Sequence, residues 1–133
     1  NTRVIFSTLR RLVNASTNET ITNTEVPINI GEGMNVSTGT FTVPISGFYA
    51  FSFSAQAAED DPFTDIMVYK NDEYQFRISD HNKNEQKNMP NIGYSWYMQL
   101  EQNDRVFLKV ISNVLICTET SLIWFMGHLL MAL

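Results

Sequence analysis

Glu59, Asp60 and Asp61, followed closely by Asp65, gather carboxylates of the kind that hold calcium through oxygen ligands. Such a run is more commonly a solvated loop. The stretch Asp80–Asn91 sets Asp80, His81, Lys83, Glu85 and Lys87 among asparagines, so it offers donors, acceptors and both charge signs to a polar ligand. His81 lies in that polar stretch and His128 in an apolar run, and a lone histidine is more often a surface or core residue than a base or metal ligand. The single cysteine, Cys117, cannot close an internal disulfide, and its solitude excludes a zinc cluster or a redox pair; in Val114-Leu115-Ile116-Cys117 it reads as a small buried side chain. No serine stands in a nucleophile-elbow motif, and no glycine-rich phosphate loop precedes a helix. Trp96 and Trp124 could stack on sugars, but alternation puts both within strands, where core or interface is the usual role. These residues point to binding and away from an enzyme.

Charge narrows the partners. With 9 basic against 14 acidic residues the net charge is −5, the opposite of the basic stripe that nucleic-acid binding requires. The longest apolar stretch, Leu122 to Leu133, is interrupted by Gly127 and His128 and falls short of the ~20 residues of a membrane helix. The sequons Asn14-Ala15-Ser16, Asn18-Glu19-Thr20 and Asn35-Val36-Ser37 make Asn14, Asn18 and Asn35 glycosylation candidates and suggest a secreted, extracellular protein. The chain opens on Asn1 without an initiator methionine, as a mature product or an excised domain would.

The elements that must carry these residues are strands. A chain of 133 residues, 44% hydrophobic, suits a single domain spanning residues 1–133. Helical periodicity is nearly absent, and short alternating runs are separated by turn residues. Gly47–Ala57 is the clearest: Tyr49, Phe51, Phe53 and Ala55 share one face, Ala50, Ser52 and Ser54 the other. Similar runs cover Val4–Phe6, Val26–Ile30, Thr40–Val43, Asp65–Lys70, Tyr74–Ile78, Ile92–Leu100, Val106–Ile111 and Leu122–Leu130, while Asn14–Thr24 reads as an exposed loop. Together they predict an all-β, ten-strand jelly-roll β-sandwich. In the last strand Leu122, Trp124, Met126 and Leu130 face one way and Ile123, Phe125, Leu129 and Met131 the other. Apolar residues on both faces imply burial on both, and a neighbouring subunit is the simplest second cover.

Three segments carry a resemblance. Asn29-Ile30-Gly31, followed by Thr38-Gly39-Thr40-Phe41-Thr42-Val43-Pro44-Ile45-Ser46-Gly47-Phe48-Tyr49-Ala50-Phe51, resembles the signature of the C1q-like domain, the globular head of complement C1q. That pattern runs Asn-x-Gly, then Thr-Gly-x-Phe-x-x-Pro-x-x-Gly-x-Tyr-x-Phe. Leu100-Glu101-Gln102-Asn103-Asp104-Arg105-Val106-Phe107-Leu108 is similar to the family's Leu-x-x-Gly-Asp-x-Val-x-Leu, with Asn103 in place of glycine. Phe125-Met126-Gly127-His128-Leu129-Leu130 is similar to its closing Phe-Ser-Gly-Phe-Leu-Leu, with Met126 and His128 substituted.

The resemblance implies a homotrimer that binds carbohydrate or microbial-surface ligands in innate immunity. The alternative is an extracellular signalling or matrix module whose trimer binds a protein receptor or nucleates collagen-like assembly. It implies core and trimer roles for Tyr49, Phe51, Val106, Trp124, Phe125 and Leu129. Calcium-binding members place aspartates before the strand corresponding to Ile92–Leu100; here Asp80 fills one such place and Asn88–Gly93 holds no carboxylate. No cofactor is therefore expected, with Asp61, Asp65 and Asp80 as the fallback for calcium. Loops supply recognition in a sandwich, so Asp80, His81, Lys83 and Lys87 are the ligand-binding candidates.

Overall fold

Strict alternation in the sequence forces the chain to bury one side of each strand, and two sheets facing each other do so. A computed structural model of the chain describes residues 3–57, 64–80, 91–112, 115–116, 118 and 122–133. Among the described residues the strands are β1 (Ile5–Arg10), β2 (Glu25–Ile30), β3 (Met34–Asn35), β4 (Thr40–Thr42), β5 (Gly47–Ala57), β6 (Thr64–Lys70), β7 (Glu73–Asp80), β8 (Asn91–Leu100), β9 (Arg105–Ser112), β10 (Leu115–Ile116) and β11 (Ile123–Ala132). β3 and β10 are two-residue pieces, and the all-β jelly-roll sandwich expected from the sequence is the observed fold. A six-stranded sheet runs β2-β1-β11-β5-β10, with β8 also paired to β5; a five-stranded sheet runs β3-β4-β9-β6-β7. Every pairing within them is antiparallel.

The core lies between the sheets. Tyr49, Phe51, Phe53 and Ala55 of β5 are buried, as are Phe41, Ile66, Val68, Val106, Leu108 and Val110 from the opposite sheet. Phe6 of β1 stacks across the gap on Phe41 of β4 at a centroid distance of 4.8 Å and meets the edge of Phe125 at 5.0 Å. Phe51 stacks on Trp96 at 5.6 Å. Burying each such ring stabilises the fold by about 1.5–3 kcal/mol. Gly127 makes the seam possible. It pairs with Phe6 on one side and Phe51 on the other, and a Cβ there would come within 2.5 Å of the Phe6 ring and 2.8 Å of the Phe51 ring.

The family-like motifs turn out to be braces at turns. Asn29 accepts from the Met34 N–H at 3.1 Å and donates to the Met34 carbonyl at 2.9 Å, closing the turn through Gly31. Tyr49 is buried and its hydroxyl donates to the Ile45 carbonyl at 2.6 Å. Asn103 takes a left-handed φ of 74°, the conformation that makes asparagine an adequate substitute for glycine there. Asp104 then ties three connections together: it accepts from the Glu101 N–H at 2.9 Å and the Asn71 side-chain amide at 3.1 Å, and Lys70 lies 3.8 Å away. Its backbone carbonyl accepts from the Val43 N–H at 2.8 Å.

Two expectations change. The Asn14–Thr24 segment is not a free loop. Ala15 pairs with Leu115 of β10, and the backbone from Asn18 to Ile21 bonds to Val110 and Leu108 of β9. The buried Arg10 guanidinium holds the segment from below, donating to the carbonyls of Val13 and Asn14 at 2.8 Å each and to the Glu19 carboxylate. Local polarity could not reveal partners so distant in sequence. Secondly, the alternation of β11 breaks between Leu129 and Met131, where the register with β5 shifts, so Met131 is exposed and leaves the face it was expected to share with Leu129.

Burial alone would raise the Asp104 carboxyl, but the Glu101 N–H, the Asn71 amide and the Lys70 charge outweigh it and hold the group below its ordinary range. A carboxyl depressed on folding stabilises fully above its unfolded value near pH ~4, and that contribution is lost as the pH falls toward the lower folded value. The melting temperature followed by circular dichroism from pH 7 to pH 2 should therefore drop in the acid range. Asp104→Asn should be less stable at neutral pH and show a shallower acid decline; parallel profiles would contradict this role.

Candidate functional site

The six-stranded sheet has an outer face that the described residues leave uncovered. The register sets its side chains in two rows running across the strands. One row is Ile30, Ile5, His128, Ala50 and Tyr97; the next is Ile28, Ser7, Met126, Ser52 and Ser95. Between them the floor is the backbone of Phe6, Gly127, Phe51 and Trp96, with the three aromatic side chains turned inward into the core. The result is a groove of about 530 Å³. Small residues (Ala50, Ser52 and Ser95) line its middle, and larger apolar ones (Ile5, Ile28, Met126 and Tyr97) stand along it. Tyr97 is 76% exposed, and Leu130 further along β11 is 51% exposed. Trp124 lies half-buried on the same face. An apolar surface of this kind left open on a sheet is a contact surface.

A second aromatic group lies where the two sheets end. β8 is an edge of the six-stranded sheet and β7 an edge of the other. Tyr94 of β8, 53% exposed, stacks on Trp96 at 6.1 Å and lies 5.8 Å from Phe76 of β7. Trp96 is a core residue, and its buried indole N–H has no hydrogen-bond partner among the described residues.

The residues singled out in the sequence fall differently. Tyr49, Phe51, Val106 and Phe125 are buried, and Leu129 is partly buried against the core. Asp80 is the last residue of β7, and His81, Lys83 and Lys87 lie outside the described residues. So do Asp61 and Cys117. Asp65 of β6 accepts from the Ser79 hydroxyl at 2.5 Å and pairs with Arg77 at 3.7 Å, so its carboxylate is already engaged. Among the described residues no group of three or more His, Cys, Asp or Glu side chains is clustered. Asn14, Asn18 and Asn35 are exposed, and the Asn35 side-chain oxygen accepts from the Ser37 N–H and hydroxyl at 3.0 and 2.7 Å.

Sequence reasoning found the strand at the centre of the groove but not the groove itself. Its walls come from five strands, and the sequence signal that pointed to it was the last strand, whose apolar residues on both faces implied a second cover.

The family model of the C1q domain matches residues 5–130. No curated protein sequence matches the chain. Among solved structures, the globular domain of zebrafish complement 1qA protein is 17% identical, with 98% of this chain and 99% of that one covered and a TM-score of 0.78. Eiger TNF from S. frugiperda is 12% identical, with 100% and 96% covered and a TM-score of 0.73. Murine APRIL is 14% identical, with 94% and 98% covered and a TM-score of 0.65. At these identities the likeness is one of fold.

With Asp65 held by Arg77 and Ser79, folding should not depend on calcium. Excess chelator should leave the melting temperature unchanged, and added calcium should not raise it. A substantial drop on chelation would mean that the carboxylates around residues 59–65 and 80 do hold an ion.

Proposed function

Since the chain belongs to the C1q domain family, we propose that it is a secreted, extracellular recognition domain that assembles as a homotrimer and binds carbohydrate or microbial-surface ligands in innate immunity. The observation that carries the trimer is the open apolar face around β11. Its groove and the exposed aromatic edge at β7 and β8 are different patches on one chain. A contact between unlike patches is heterologous, and such contacts close into rings when the rotation allows.

Ligand binding is assigned to the connection between β7 and β8, with Asp80, His81, Lys83 and Lys87 as its polar groups. The strands it joins, β7 and β8, are each an edge of their sheet. Threefold repetition would let weak contacts to a repetitive surface add through avidity. The domain acts by binding, without catalysis or cofactor. A chain that instead serves as a signalling or matrix module would bind a protein receptor, or nucleate collagen-like assembly, through the same trimer.

Sedimentation equilibrium at micromolar concentration should give about three times the 15.2 kDa chain mass. Met126→Glu, which sets a carboxylate in the groove, should shift the population to monomer while leaving the far-ultraviolet spectrum intact; a stable wild-type monomer would refute the assembly. Arrays of glycans, microbial polymers and lipids should yield a ligand whose binding falls when Asp80, His81, Lys83 and Lys87 are replaced together by alanine. Undiminished binding by that trimer would put recognition elsewhere, and binding confined to host proteins would favour the signalling module.

A further inference from the structure

His128 is the one strongly polar side chain in the row of Ile30, Ile5, Ala50 and Tyr97 on the outer face of the six-stranded sheet. It is exposed there and lines the groove. β11 has β1 on one side and β5 on the other, so the imidazole sits amid the sheet rather than at its rim. Its neighbours along β11 on that face are Met126 and Leu130; across the strands they are Ile5 and Ser7 of β1, Ala50 and Ser52 of β5, and Tyr97 and Ser95 of β8. Among the described residues lining the groove, the Tyr97 phenol is the only other titratable group. The charged residues nearest to the row by chain position are Arg3, two residues before Ile5, and Glu32, two residues after Ile30, while Glu25 stands at the opposite end of β2. Among the described residues no carboxylate lines the groove to hold an imidazolium.

We infer that His128 makes assembly of this domain pH-sensitive, the neutral imidazole accepting cover by a second copy and the protonated form opposing it. The inference rests on the trimeric reading above. Covering the groove removes water from the imidazole. A charged group taken out of water among aliphatic and small neighbours, without an opposite charge, is strongly disfavoured, whereas a neutral one is not. Histidine changes charge across the mildly acidic range, so the same surface that closes at neutral pH opens as the pH falls. Dissociation of one trimer exposes three copies of the side chain, so the coupling is threefold and steep. At this position the resembled family closes with phenylalanine, which carries no such sensitivity.

The test follows the trimer–monomer equilibrium of the purified domain by sedimentation velocity at pH 7.5, 6.5 and 5.5, with circular dichroism to verify that the monomer stays folded. The wild type should be trimeric at pH 7.5. Its dissociation constant should rise on acidification at least ~10-fold per pH unit once protonation begins, with a limiting uptake of three protons per trimer. His128→Phe and the uncharged polar variant His128→Gln should both hold their affinity across the range. Equal affinity of the wild type at pH 7.5 and 5.5, tighter assembly at pH 5.5, or an unchanged pH response in both His128 variants would overturn the switch. A wild type that is monomeric at pH 7.5 would instead overturn the trimeric reading beneath it.

Discussion

The structure depends on β11 having two apolar faces and a glycine where they need one. Its inward face carries Ile123, Phe125 and Leu129 into the core, and at Gly127 it makes room for the rings of Phe6 and Phe51. Without that gap the β1, β5 and β11 side chains could not interlock, because interiors at crystal-like density have no slack for an extra methyl group. The outward face carries a half-buried Trp124 and the exposed Met126, His128 and Leu130. One strand thus serves both the fold and the surface through which the domain can meet other molecules.

Around this seam the chain spends polar side chains on holding connections rather than on chemistry. Asn29, Tyr49 and Asp104 each fasten a turn to its neighbouring backbone, and Arg10 gathers the segment that follows β1. The bonds of Asn29, Tyr49 and Arg10 are part-buried and that of Asp104 is exposed, and those of Arg10 and Asp104 are charge-assisted, which strengthens them. The strongly placed polar groups are therefore structural. The apolar groove and the proposed ligand-binding residues of the connection between β7 and β8 are separate from these braces, in keeping with the division between rigid scaffold and recognition loop that sandwich domains use generally.

The family signature has a physical reading once these bonds are seen. Asn-x-Gly is a side chain closing a turn that needs a left-handed glycine, with Gly31 at φ 88°. Gly47 is required by close approach rather than by a turn, since a Cβ there would strike the Met131 carbonyl and the Leu129 side chain. Asn103 departs from the pattern and keeps the geometry, whereas Met126 and His128 depart on the face that leaves the core untouched.

The sequence by itself determined the strands, their buried sides and the fold class, because a period of two couples residue order directly to which side of a sheet a residue occupies. Tyr49, Phe51, Val106 and Phe125 were legible as core for that reason, and the doubly apolar last strand was legible as a surface needing cover. The register between strands was not legible, and register decides the rest. It alone puts Ile5, His128, Ala50 and Tyr97 in one row, although they come from four strands spread over most of the chain. It alone ties Asn18 to Val110 and Asp65 to Arg77 and Ser79, turning an apparent loop into a strap and an apparent metal ligand into an ion-pair partner. Such contacts are fixed by where distant segments meet when two sheets close on one core, and no local pattern carries that information.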